Sequence, residues 1–103
     1  MRRHVSLTKK QTEVLNKLKH YQGSKKTSTE LGVSNRVMRD CVHKLRVKGY
    51  PICSDKNGYW YGYDVQDVIK TKEWLQHRAQ SILETCEGLQ RYIKKCGTKK
   101  EEY

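Results

Sequence analysis

Val14, Leu15, Leu18 and Tyr21 recur on one face at helical spacing, the period of an amphipathic helix. Thr8-Lys9-Lys10-Gln11 stands directly before them. This is a capping box, with Thr8 as N-cap and Gln11 three residues on, and Gly23 supplies the stop. Ser24 reads as the cap of a second, very short helix, roughly Lys25 to Leu31, ended by Gly32 and followed by a buried Val33. Ser34 caps a third helix that runs to about Lys48. Its inward stripe is Met38, Cys41, Val42 and Leu45, its other faces carry Asn35, Arg36, Arg39, Asp40, His43 and Lys44, and Gly49 closes it.

Beyond Pro51 the pattern changes to extended segments. Ile52-Cys53-Ser54 and Tyr59-Trp60-Tyr61 read as two short strands. Asp55-Lys56-Asn57-Gly58 between them has hairpin-turn chemistry, since Asn-Gly readily takes positive φ. Tyr59, Trp60 and Tyr61 are expected to serve as hairpin core rather than as a stacking platform. Asp64 then caps a long helix reaching about Lys95. Along it Leu75, Ala79, Ile82, Cys86, Leu89, Ile93 and Cys96 are spaced by alternating fours and threes, an unbroken heptad seam. Trp74, Leu83 and Tyr92 flank and widen it.

The expected organisation is a flexible basic arm over 1–7, a domain of helices and hairpin over 8–63, a long helix over 64–96 and a disordered tail over 97–103. The fold class is mainly α with a small β-hairpin, ending in a long C-terminal helix. With 103 residues and 35% hydrophobic content, the core is small, and a partner chain is expected to add to it.

Charge sharpens this picture. The formal net charge is +11, which fits a polyanion partner and disfavours a small-molecule enzyme. Residues 1–50 hold thirteen Lys and Arg against three acids, +10, whereas residues 51–103 hold nine against eight, +1. The basic surface thus belongs to the helical first half. No apolar run is long enough for a transmembrane helix or a signal-peptide core, so no membrane association and a cytoplasmic setting are expected. Cys41, Cys53, Cys86 and Cys96 form no CxxC pair, so they read as free thiols and no metal site is expected. Asp40 and His43 lie one turn apart, but no nucleophile or second carboxylate accompanies them, and there is no Gly-rich phosphate loop. Neither an enzyme nor a cofactor is expected.

Thr29-Glu30-Leu31-Gly32-Val33-Ser34-Asn35-Arg36 carries the sharpest local pattern. Gly32 permits a left-handed backbone between two helices, Val33 plugs the angle, and Ser34 starts the next helix. With Leu45-Arg46-Val47-Lys48-Gly49-Tyr50-Pro51-Ile52 and Gly58-Tyr59-Trp60 further on, the stretch 8–62 resembles winged helix-turn-helix domains of the biotin-repressor type. Thr27 departs from that pattern, which carries an apolar residue or Ala one turn before Leu31. The resemblance implies that the third helix enters the major groove of double-stranded DNA, with Asn35, Arg36, Arg39 and His43 nearest the base edges. It further implies phosphate contacts from Lys25, Lys26 and Lys44, a reach to the neighbouring backbone or minor groove by Lys56, and a minor-groove arm of Arg2 and Arg3. Leu75-Gln76-His77-Arg78-Ala79-Gln80-Ser81-Ile82 resembles the C-terminal helix of small winged-helix proteins of phages and prophages.

The seam favours a homodimer built on Leu75, Ala79, Ile82, Leu83, Cys86, Leu89 and Ile93 over a helix folded back on its own domain. Parallel and antiparallel pairing both remain open. The expected function is sequence-specific DNA binding by a dimeric transcription regulator of phage or prophage type. The alternative is a DNA-replication accessory whose winged domain meets origin DNA and whose long helix meets a partner protein.

Overall fold

Thr8 starts the first helix as the spacing predicts, in the computed structural model, which describes residues 6–97. Its hydroxyl accepts from the Gln11 amide, and the Gln11 side chain accepts from the Thr8 amide, both at 3.1 Å. The resulting helix α1 (Lys9–His20) buries Gln11, Val14, Leu15 and Leu18. It ends slightly earlier than Gly23 implies. Tyr21 is the C-cap, and Gln22 is already left-handed at φ 52 before Gly23 at φ 94.

The short helix over Lys25 to Leu31 does not form, and Ser24 is not its cap. Lys26 is instead locked in extended backbone by a bridge to Tyr59, with both N–H···O bonds at 2.9 Å. After Lys26 comes a single turn reduced to its two caps. Thr27 and Glu30 form a capping box: the Glu30 amide donates to the Thr27 hydroxyl at 3.1 Å, and the Thr27 amide to the Glu30 carboxylate at 2.8 Å. Gly32, at φ 72, closes the turn, its amide bonded to the Thr29 carbonyl and the Val33 amide to the Ser28 carbonyl, the paired bonds of a Schellman stop. Thr27, where the family pattern has an apolar residue, is thus a cap rather than an anchor.

Helix α2 (Asn35–Val47) has Ser34 as N-cap and buries Met38, Cys41, Val42 and Leu45. Gly49, at φ 97, repeats the same kind of stop, with the Tyr50 amide on the Leu45 carbonyl and the Gly49 amide on the Arg46 carbonyl. Strands β1 (Ile52–Asp55) and β2 (Gly58–Tyr61) pair antiparallel, Ile52 opposite Tyr61 and Asp55 opposite Gly58. The loop is Lys56-Asn57; Gly58, at φ 144, takes the positive φ and Asn57 does not. Helix α3 (Val65–Lys95) begins behind Asp64, whose carboxylate accepts from the Gln66 amide at 2.9 Å. The layout is mainly helical, with a two-stranded antiparallel hairpin and a long C-terminal helix.

Val14, Leu15, Leu18, Leu31, Val33, Met38, Cys41, Val42, Leu45 and Ile52 form one core cluster, with Leu7, Tyr50, Tyr59 and Tyr61 packed against it. Leu7 is partly buried and packs against the core, and the Ser6 carbonyl accepts from Lys48 Nζ at 3.1 Å. The chain divides into two units between Thr71 and Lys72. The start of α3 therefore belongs with the first unit, beyond the expected boundary at residue 63. Its Thr71 is buried, and Asp67 accepts from the Trp60 indole N–H at 3.2 Å. Gly62 makes this approach possible, since a Cβ there would lie 2.7 Å from Cys53 Sγ and 2.8 Å from Val68 Cγ2. Residues 1–5 of the expected arm and 98–103 of the expected tail lie outside the described residues.

Gly58 is the tightest position in the hairpin. A Cβ on it would lie 2.8 Å from the Lys26 carbonyl oxygen, and the left-handed φ adds strain for any L side chain. Gly58→Ala is expected to cost about 1–3 kcal/mol and to expose the Lys26 and Tyr59 amides, read as a lower melting temperature and faster hydrogen exchange at those two residues.

Candidate nucleic-acid interface

Arg36, Arg39 and His43 follow one another by three and four residues, so they share a face of α2. All three are exposed, and that face lies opposite the buried stripe of Met38, Cys41, Val42 and Leu45. Among the described residues neither arginine forms an ion pair. Two planar guanidinium forks therefore stand free on a rigid helix, each able to bond an acceptor pair bidentately. Asp40 interrupts the face, with its carboxylate 3.8 Å from Lys44 Nζ, so Lys44 is the less available cation.

The helix that carries them is fixed at both ends. At its start the Asn35 amide oxygen accepts from the buried Ser28 hydroxyl, which ties the helix to the preceding turn and leaves the Asn35 NH₂ group as its donor. At its end Arg46 reaches across to the hairpin. Its Nε donates to the Ile52 carbonyl at 2.7 Å and its Nη2 to the Ser54 hydroxyl at 2.9 Å. Burial pulls the Arg46 guanidinium below its ordinary pKa, but an arginine stays charged. Arg46 is thus a positioning residue, setting hairpin against helix.

The remaining cations separate into structural and available ones. Lys17 Nζ donates to the Leu31 carbonyl at 2.7 Å and lies 3.1 Å from Glu13; Lys48 Nζ donates to Gln11 at 3.2 Å. Lys25 pairs with Asp55 at 2.6 Å and stands over the Trp60 ring at 4.9 Å. The hydrogen bond from Lys25 holds the Asp55 carboxyl below the usual carboxylate range. Lys26 stands over Tyr21 at 4.6 Å. Lys56, in the hairpin loop, is exposed and forms no ion pair among the described residues. Arg2 and Arg3 lie outside the described residues. The structure therefore brings Arg36, Arg39 and His43 together on one face, and shows Lys25 and Lys44 already engaged with carboxylates.

Arg46 and the Thr27–Glu30 box are the site-building residues that the pattern along the chain did not single out. The box had a legible signal, Thr-x-x-Glu directly before Leu31. Arg46 stood out only as part of the Leu45-Arg46 step of the resemblance; its clamping role had no local signal, because its partners are carbonyl and hydroxyl groups of a strand that lies beside it only once the chain is folded.

No family model, curated protein or solved structure matches this chain.

In the second unit the seam side chains and their flanks are largely exposed: Ile82 and Leu83 at 56%, Leu89 at 61% and Tyr92 at 65%. Among the described residues no helix is long and apolar enough to cross a membrane.

Burial raises the thiol pKa of both Cys41 and Cys53. A thiol whose pKa is raised by folding contributes stability below its unfolded value, about 8.5, and that contribution is lost as pH climbs towards the folded value. The melting temperature should therefore fall between about pH 8 and pH 10. The pH slope, though not the absolute value, should flatten in the Cys41→Ala/Cys53→Ala variant.

Proposed function

We propose that the chain is a sequence-specific double-stranded DNA-binding protein, a dimeric transcription regulator of phage or prophage type acting in the cytoplasm. In this reading residues 8–63 work as a winged helix-turn-helix, α2 enters the major groove, and the hairpin is the wing. The observation that carries it is the outward face of α2: Arg36, Arg39 and His43 exposed together, the two arginines without carboxylate partners among the described residues. The helix beneath them is held by Ser34, the Ser28–Asn35 bond and the Arg46 clamp. A base reader needs this combination, because discrimination depends on donors held in register with base edges.

Lys56 and Lys26 supply cations toward phosphate, with Lys25 and Lys44 contributing less because Asp55 and Asp40 offset them. Removing one cation from a phosphate should lower the slope of log affinity against log salt by about 0.9. Lys56→Ala is thus expected to weaken binding to all duplexes alike. The deciding experiment is selection of binding sites from randomised duplex at physiological salt. Enrichment of a two-fold symmetric site is expected, and recovery of unenriched sequence would overturn the reading. The alternative role in replication draws on the exposed stripe of α3, which would then meet a different protein.

A further inference from the structure

We infer that α3 pairs with α3 of a second copy in antiparallel orientation, about a two-fold axis beside Glu84. This rests on the dimeric reading above and supplies the orientation that the heptad spacing leaves open. Trp74, Leu75, Ile82, Leu83, Leu89 and Tyr92 are the exposed large apolar side chains of α3 beyond Lys72. Together they present on the order of 600 Å² per chain, so a pair of copies reaches the ~1,200 Å² at which specific interfaces begin.

The seam alternates in size as well as in spacing. From Leu75 to Leu89, Ala79 and Cys86 sit at one class of seam position and Leu75, Ile82 and Leu89 at the other; beyond Leu89 the sizes exchange, with Ile93 in the first class and Cys96 in the second. In a parallel pair each residue meets itself. Ala79 against Ala79 and Cys86 against Cys86 then alternate with layers of two leucines or two isoleucines. Helix separation follows contact size, about 8–10 Å, and one straight pair cannot narrow and widen at every layer without voids.

Antiparallel pairing about Glu84 removes the conflict. Ala79 meets Leu89 of the second copy, Ile82 meets Cys86, and Leu75 meets Ile93, so the two Ala79 and two Cys86 layers each combine one small with one large side chain, the arrangement that fills a core evenly. The flanks agree. Arg78, already 5.1 Å over the Trp74 ring, comes beside Tyr92 of the second copy, a cation–π partner. Leu83 covers Leu83, and Gln76 meets Gln90. Parallel pairing would set Arg78 against Leu83 instead. Antiparallel pairing also separates the two Lys72 positions, where the second unit of each copy begins, by about 36 Å along the axis at 1.5 Å per residue.

Disulfide trapping on the full-length chain tests this, with Cys86→Ser and Cys96→Ser as background and copper–phenanthroline as oxidant. Chains carrying Leu75→Cys mixed with chains carrying Ile93→Cys should give at least about tenfold more cross-linked heterodimer than Ile93→Cys gives with itself, because antiparallel copies hold the two 93 positions about 27 Å apart. Predominant self-cross-linking of Ile93→Cys would overturn the orientation while leaving the dimer intact. Sedimentation of the unmodified protein as a monomer at micromolar concentration would overturn the dimer and the orientation together. A spin label on Cys96 in a Cys86→Ser chain gives an independent reading, with about 36 Å between labelled backbones expected and under about half that overturning the proposal.

Discussion

Alanine at both Arg36 and Arg39 should lower the preference for a selected site over scrambled duplex by roughly 30- to 10⁴-fold, at about 1–3 kcal/mol for each bidentate pair removed. Both side chains are exposed and make no internal ion pair among the described residues, so the melting temperature should stay put. Fluorescence anisotropy at two salt concentrations separates the consequences. Discrimination collapses, while residual binding to any duplex persists with a slope reduced by about two at most. A variant that keeps its preference would remove α2 as the reading element, since no other described helix offers a free arginine pair on a fixed face. Lysine at both positions should rescue general affinity but not discrimination, because an ammonium lacks the planar fork.

The second large effect is on folding. Leu45 is 0% exposed at the centre of the first-unit core, and Leu45→Ala should cost about 2–5 kcal/mol. A unit of this size has about 4–10 kcal/mol in total, at about 0.05–0.15 kcal/mol per residue. The substitution should remove roughly half of that stability and lower the first unit's melting temperature by about 10–40 °C. Leu83→Ala, on an exposed position of α3, should leave the first unit's melting unchanged and weaken only self-association. Urea titration followed by Trp60 fluorescence in a Trp74→Tyr background, together with sedimentation for self-association, distinguishes the two.

Much of this was legible along the chain. The caps at Thr8 and Ser34, the inward stripe of α2, the hairpin and the start of α3 behind Asp64 all depend on neighbours within a few residues, which is where sequence patterns speak. The short helix failed for a non-local reason. Lys26 is drawn into extended backbone by Tyr59, so the turn has to begin after it, at Thr27, and Ser24 is left with nothing to cap. The basic residues show the same limit. The first half does carry +10, but Lys17, Lys25, Arg46 and Lys48 are all engaged internally, with partners as far away as Asp55 and Gln11. Only the folded chain separates these from Arg36, Arg39 and Lys56.

The bridge between Lys26 and Tyr59 closes a loop that contains the whole of α2 and the first strand. Its ends meet through two backbone bonds pressed against a glycine. The entropy of closing such a loop must be met before the turn preceding α2 has its final shape. The hairpin is thus the latch of the helical segment as well as its neighbour. Losing the bridge would loosen the turn that precedes α2 first, while α2 itself stays held by Met38, Val42 and Leu45 in the core it shares with α1.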